Sequence, residues 1–279
     1  MTTAAPTDQT AARRALVAAA GRSAGLLRAA GDGRLRVERS EWTVGEVGAH
    51  LVMGFRANRS VLEGRTDVVP SDFPAGSNFA QRLAAVTSAM LSVEPERDPA
   101  VLADLLAAEA ARFLATSAGH PAEERLPTPW YGDDSSLSLA AVTCLLLGEQ
   151  LIHGRDLALT LRRPWPISAD DAKLLAGAYP SMLPLAIDPG AAAGADLTCE
   201  IRLRDGGARF VVRIRDATVE IEGSDARRVD CHLSADPVAF ALVAYGRVSQ
   251  WDAIARGQLM AWGRKPWKAL TFRQLFFNP

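Results

Sequence analysis

A glutamate and a histidine four residues apart, Glu149 and His153, stand in the mostly apolar run Leu145-Leu-Leu-Gly-Glu149-Gln-Leu-Ile-His153-Gly-Arg-Asp156-Leu-Ala. At ~100° per residue they lie ~40° apart on a helix, and Asp156 shares their stripe. A titratable stripe on such a helix is costly to bury unless something pairs with it. Because residues i and i+4 are neighbours, the pair can place a carboxylate oxygen and an imidazole nitrogen on one divalent metal ion. A further ligand must come from another segment, and His50 is the candidate. It sits mid-helix in Val47-Gly-Ala-His-Leu-Val-Met53, and Gly54 one turn later leaves room beside it. Residue pattern alone also admits plainer readings, a hydrogen-bonded core histidine and a surface Glu–His pair, since spacing cannot bring His50 to Glu149. His120 precedes a proline in a loop and His232 lies in a strand region, so neither joins the group, and Cys144 falls on the opposite side of the helix from His153.

These residues need a scaffold, and the pattern up to the Pro-Trp-Pro at 164–166 is helical almost throughout. Thr43-Val-Gly-Glu46 is a capping box that opens a helix through about Glu63. Asp98-Pro99 supplies a cap and a first-turn proline for a helix to about Ser117. Ser136 opens a long run from Leu137 to Leu161. Helices near 9–30 and 77–92 complete an antiparallel, up-and-down bundle of four or five helices, with longer connections near 65–76 and 119–135. After the junction, a short helix capped by Ser168 leads into strands. Leu197, Cys199, Ile201 and Leu203 alternate with polar residues, which predicts a sheet with one buried face. Asp205-Gly-Gly207 marks a hairpin turn before Phe210–Ile214, and Val219 and Ile221 follow. Helices near 236–246 and 266–276 close the chain. The expected architecture is two domains, an all-α bundle at 1–164 and an α+β domain at 180–279, joined by a linker with a short helix at 165–179.

The chain has 279 residues, enough for two domains with cores of their own. Hydrophobic residues make up 48%, too many for a disordered chain. A formal net charge of −1 gives no footprint for nucleic acid or an anionic membrane, and no apolar run approaches the ~18–20 residues of a membrane span. Arg13-Arg14 before an apolar stretch resembles a twin-arginine export signal. Arg22 and Arg28 interrupt that stretch, however, and Leu16, Ala20, Ala24 and Leu27 recur at helical spacing. A cytoplasmic helix is the reading. Cys144, Cys199 and Cys231 are an odd number without CxxC spacing, so they read as reduced thiols, and any sulfur chemistry is expected from outside the chain.

At these residues the sequence resembles a known family. Trp42-Thr-Val-Gly-Glu-Val-Gly-Ala-His50-Leu and Gly148-Glu-Gln-Leu-Ile-His153-Gly-Arg-Asp156-Leu-Ala158 are similar to two signature segments of the mycothiol-dependent maleylpyruvate isomerase family. The resemblance implies a DinB-like bundle holding a divalent metal, usually zinc, through His50, Glu149 and His153. The C-terminal part, with Asp230, Ala239–Arg247, Ala253–Gly257, Gly263 and Leu275-Phe276, resembles a sterol carrier protein-like domain. By the same resemblance, Arg247 is an arginine of the second domain that faces the active site, and Arg82 matches another in mid-bundle. Family members often carry His-Thr-Trp-Asp where this chain has His153-Gly-Arg-Asp156, a departure that bears on pocket shape.

Two histidines and one carboxylate leave an open position, as at a catalytic zinc. The implied chemistry is mycothiol, activated by zinc, attacking a small electrophile, with isomerisation if the thiol leaves and thiol transfer if it stays. Asp156 then accepts from a ligand histidine or a nearby arginine, and Arg247 steadies an anionic group. The rivals are a hydrolase using metal-bound water and a non-enzymatic carrier of an apolar molecule in the C-terminal domain.

Overall fold

A computed structural model of the chain describes residues 8–38, 40–65, 73–74, 76–223 and 228–277. It divides into two compact units, one of Asp8–Ser77 with Gln81–Ile167 and one of Ser168–Pro279 with Asn78–Ala80. The elements up to the division are α1 (Gln9–Ala30), α2 (Val44–Leu62), α3 (Phe79–Val93), α4 (Pro99–Ser117), β1 (Arg125–Pro127), β2 (Ser136–Ser138) and α5 (Leu139–Thr160). Side chains set where helices begin. Asp8 accepts from Ala11 N at 2.9 Å, and Asp98 from Ala100 N at 2.8 Å with Pro99 in the first turn. Thr43 and Glu46 close the expected capping box, with Glu46 N donating to Thr43 Oγ1 at 3.3 Å and Thr43 N to Glu46 Oε2 at 2.7 Å.

The last bundle helix departs from the pattern. It begins at Leu139 rather than Leu137, because Ser138 is the cap, accepting from Ala141 N at 3.2 Å. Residues 136–138 instead pair antiparallel with 125–127 inside what reads as a loop, with Leu126 and Leu137 buried in register. The connection near 65–76 lies largely outside the described residues.

Buried positions recur on every face of α5, the signature of a helix enclosed all round. It packs on α1 and α2, and α4 packs on those two in turn. Leu16, Leu27, Leu51, Phe55, Leu106, Phe113 and Leu147 are fully buried in this core, each worth ~1.5–3 kcal/mol relative to exposure.

Trp165 locks the C-terminal half of α5. Its indole donates to Leu151 O at 2.9 Å, and the Arg22 guanidinium stacks on its ring at 4.1 Å. A Cβ at Gly154 would stand 2.1 Å from Trp165 Cζ2. The glycine therefore makes room for this indole and does not shape the pocket described below. Gly154→Ala should lower unfolding free energy in urea by ~1–3 kcal/mol through overpacking, outweighing alanine's ~1 kcal/mol gain in helix propensity. Unchanged or raised stability would refute the packing role.

The second unit continues with α6 (Ala169–Ala176), α7 (Tyr179–Ala186), β3 (Asp196–Leu203), β4 (Arg209–Arg215), β5 (Thr218–Glu222), β6 (Cys231–Ala235), α8 (Pro237–Ala244), α9 (Gln250–Ala255), β7 (Leu259–Gly263), α10 (Trp267–Thr271) and a 3-10 turn at Phe272–Leu275. Its five strands form one mixed sheet in the order β5-β4-β3-β6-β7, antiparallel except for β3 with β6. The β3–β4 turn uses positive φ at Asp205 (55°) and Gly206 (77°), as the Asp-Gly signal predicts.

Three elements here escape the sequence pattern, namely α7, α9 and β7, whereas His232 falls in β6 as expected. Burial on β3 also differs from the alternation. Glu200, expected on an open face, is 2% exposed because β3 is the central strand and its neighbours bring cations. Arg202 Nε donates to it at 2.6 Å, Arg209 Nε at 2.5 Å, and His232 Nδ1 also pairs with it. Burial opposes the charge, yet these three partners hold the Glu200 carboxyl below its usual range. His232 is thus committed to the sheet. Among the described residues no helix is long and apolar enough to cross a membrane.

Candidate metal centre

The fold brings together the three donors that sequence spacing could not. His50 on α2 places Nε2 2.9 Å from Glu149 Oε2 on α5, and His153 Nε2 lies 3.4 Å from the same oxygen. One ligand atom from each of the three falls within 4.8 Å of the others. All three side chains are partly buried, Glu149 at 33% exposure and the histidines near half that at 16% and 15%. Burial works against the Glu149 charge, but the hydrogen bonds from His153 and His50 outweigh it and hold the carboxyl well below the usual carboxylate range.

Trp42, just before the capping box, fixes both rings. Its indole stacks on His153 with centroids 5.6 Å apart and tilts against His50 at 5.0 Å. The capping box is therefore part of the site's geometry as well as the helix start. Asp156, buried at 6% exposure, has Oδ2 3.7 Å from His153 Nδ1, within ion-pair reach but too long for a direct hydrogen bond.

The two arginines sit differently. Arg82 is 5% exposed and occupied structurally, donating to Ser77 O and Pro129 O, each at 3.2 Å, and to Asp133 Oδ1 at 2.6 Å. It ties α3 to the segment that carries Trp130 and Tyr131. Arg247 belongs to the second unit, just past α8, where Nη1 donates to Tyr245 O at 2.8 Å.

A cavity adjoins His50 and Glu149, with about 740 Å³ of empty space including its open mouth. Trp130, Tyr131 and Gln150 line it, residues to which sequence reasoning assigned no role. The Tyr131 phenol is pushed up by burial and then by the nearby Glu149 charge. Gln150 carried a usable signal as a polar residue beside Glu149 on an apolar helix, whereas Tyr131 lay in a segment read as loop.

The family model of the mycothiol maleylpyruvate isomerase N-terminal domain matches residues 16–158. The chain belongs to this family. The matched stretch holds all three donors, Trp42 and every residue named above as lining the cavity. Among solved structures, an alanine mutant of the mycothiol-dependent maleylpyruvate isomerase superposes with a TM-score of 0.52 at 10% identity, over 91% of this chain and 92% of that one. A second structure of that isomerase gives 0.48 at 13% identity over 91% and 90%. At such identity the first likeness speaks for the fold alone. No curated protein sequence matches the chain significantly.

Proposed function

We propose that this member of the mycothiol maleylpyruvate isomerase family is a metal-dependent enzyme that uses mycothiol to attack a small electrophile, giving cis–trans isomerisation or thiol transfer. The observation that carries the reading is the convergence of His50, Glu149 and His153 on one point. The donor set fits a divalent ion, most simply zinc. Two imidazoles and a carboxylate make three protein ligands with a position to spare. Both Nε2 atoms also bear on the single oxygen Glu149 Oε2, where a shared cation would answer all three. Bound there, zinc would convert a thiol to its thiolate near neutral pH.

The chain's own residues do the rest. Trp42 restrains both rings, and Asp156 beside His153 Nδ1 favours the tautomer that leaves Nε2 free to ligate. Arg82 positions the Trp130–Tyr131 segment through Pro129 and Asp133, and Arg247 steadies an anionic group of substrate or thiol. In the isomerisation, thiolate addition to a cis alkene forms a C–S bond and opens the π bond. Rotation about the resulting single bond and expulsion of the thiolate restore a trans alkene, with no net proton or electron change. If the adduct instead takes a proton at carbon, the thiol is transferred. We assign the metal chemistry to residues 1–164 and a sterol carrier protein-like fold to 180–279, with 165–179 between them and a reducing cytoplasm as the setting.

The test is thiol dependence. Metal-loaded protein should turn over a conjugated electrophile only with added mycothiol, and replacing His153 should abolish that turnover. Turnover without thiol would favour a hydrolase on the same ligands. Retention of a lipid by the full chain, with no turnover under any thiol, would favour a carrier.

A further inference from the structure

The cavity beside His50 and Glu149 restricts what can enter it. Leu83, Val86 and Met90 on α3 and Val142, Leu145 and Leu146 on α5 form its walls, and among the described residues no lysine or arginine lines it. Of its other neutral polar side chains, Thr87 is partly exposed, and those of Asn58, Thr128 and Tyr131 have partners. Asn58 Nδ2 donates to Gly54 O at 2.9 Å, Thr128 Oγ1 sits 3.0 Å from Ser135 Oγ, and Tyr131 takes a hydrogen bond from Trp130. Gln150 is the exception. It is 0% exposed, yet neither Oε1 nor Nε2 has a hydrogen-bond partner among the described residues. A buried primary amide with both ends unmet is costly and calls for an explanation. A ligand group that meets it is one, because the same residue lines the cavity. Charge points the same way. With the metal site empty, a carboxylate entering here would approach Glu149 and lose its water with no lysine or arginine in exchange; a bound divalent ion would offset that charge, so the preference is one of the metal-free cavity.

We propose that this cavity binds the electrophile, and that the part it takes is uncharged, with an apolar body and one carbonyl group hydrogen-bonded by Gln150. The class is a conjugated ketone, ester or amide. An amide hydrogen bond to the carbonyl oxygen would also draw electron density from the conjugated alkene and favour thiol addition. The electrophilic role rests on the metal–thiol reading, but the binding preference does not.

The test uses two probes matched in ring and alkene, neutral 4-phenylbut-3-en-2-one and anionic cinnamate. Binding to the full-length, metal-free protein is measured without thiol, by calorimetry and by quenching of tryptophan fluorescence. The ketone should bind at least ~10-fold more tightly than cinnamate. Gln150→Leu should weaken the ketone about fivefold, the value of one hydrogen bond, while the melting temperature holds or rises because an unmet amide is gone. Val86→Phe should block the ketone while metal uptake on loading stays at the wild-type level. Equal binding of the two probes, or unchanged ketone affinity in Gln150→Leu, overturns the proposal. Ketone binding that follows these expectations without thiol-dependent turnover supports the cavity assignment and counts against the metal–thiol reading.

Discussion

The His153→Ala protein is expected to retain less than about a tenth of the metal held by the wild type after dialysis against a weak chelator, and to lose thiol-dependent turnover by more than ~100-fold. The imidazole is one of only three protein donors in the group, and its loss leaves Glu149 and His50, a set short of the usual three. Elemental analysis reads the metal directly. Thermal stability separates ligand loss from damage to the fold. Zinc at 100 times its dissociation constant should stabilise the wild type by ~2.7 kcal/mol, as any ligand specific to the native state does, and this increment should vanish in the variant. Without metal the two proteins should melt within a few degrees of each other, because the lost ring contact at Trp42 and the 3.4 Å pair with Glu149 are partly exposed. A variant that binds and responds to zinc like the wild type would remove His153 from the centre.

How far the centre was legible depends on the range of the interaction. Glu149 and His153 are four residues apart on one helix, so periodicity alone puts them on one face. The helix starts were equally local, since the caps Thr43 and Asp98 in the bundle and Ser168 beyond it sit beside the residues they serve. The 99-residue separation of His50 and Glu149 lies outside any local pattern, so residue type and setting made His50 a candidate ligand and the resemblance to a family joined the two. Gln150 shows the complementary limit. Its sequence neighbours do not reveal that α5 is enclosed all round, and only that enclosure turns an ordinary glutamine into a buried, unmet amide. In the second unit, β6 and β7 are five residues each, and the parallel partner of β6 is β3, some thirty residues earlier. Their boundaries come from those partners, whereas β5, equally short, shows its own alternation at Val219 and Ile221. For the same reason Glu200 was misplaced, because strand order and not sequence decides that β3 is central.

The second large effect lies away from the site. Glu109→Ala should reduce unfolding free energy by ~2–4 kcal/mol, toward the lower part of the range for breaking a buried ion pair. The Glu109 side chain on α4 is 3% exposed and faces α2. Arg56 Nε donates to Oε1 at 3.2 Å, Arg112 Nη1 donates to the same oxygen at 2.8 Å, and Arg59 Nε lies 3.4 Å from Oε2. Removing the carboxylate strands two arginines that are themselves only 27% and 20% exposed. Glu94 still pairs with Arg56, and Glu63 with Arg59 at 2.6 Å, which keeps the loss below the full range. Glu109→Gln retains the shape and some hydrogen bonds, so its cost should be smaller, ~1–3 kcal/mol. Urea denaturation of the three proteins gives the comparison. Because the network holds α2, which carries His50, against α4, Glu109→Ala should also loosen metal binding, in proportion to the stability lost and without the complete loss expected for His153→Ala. A wild-type unfolding midpoint for Glu109→Ala would show that the arginines find other partners and that α2 is held by the Phe55–Phe113 contact and its apolar neighbours alone.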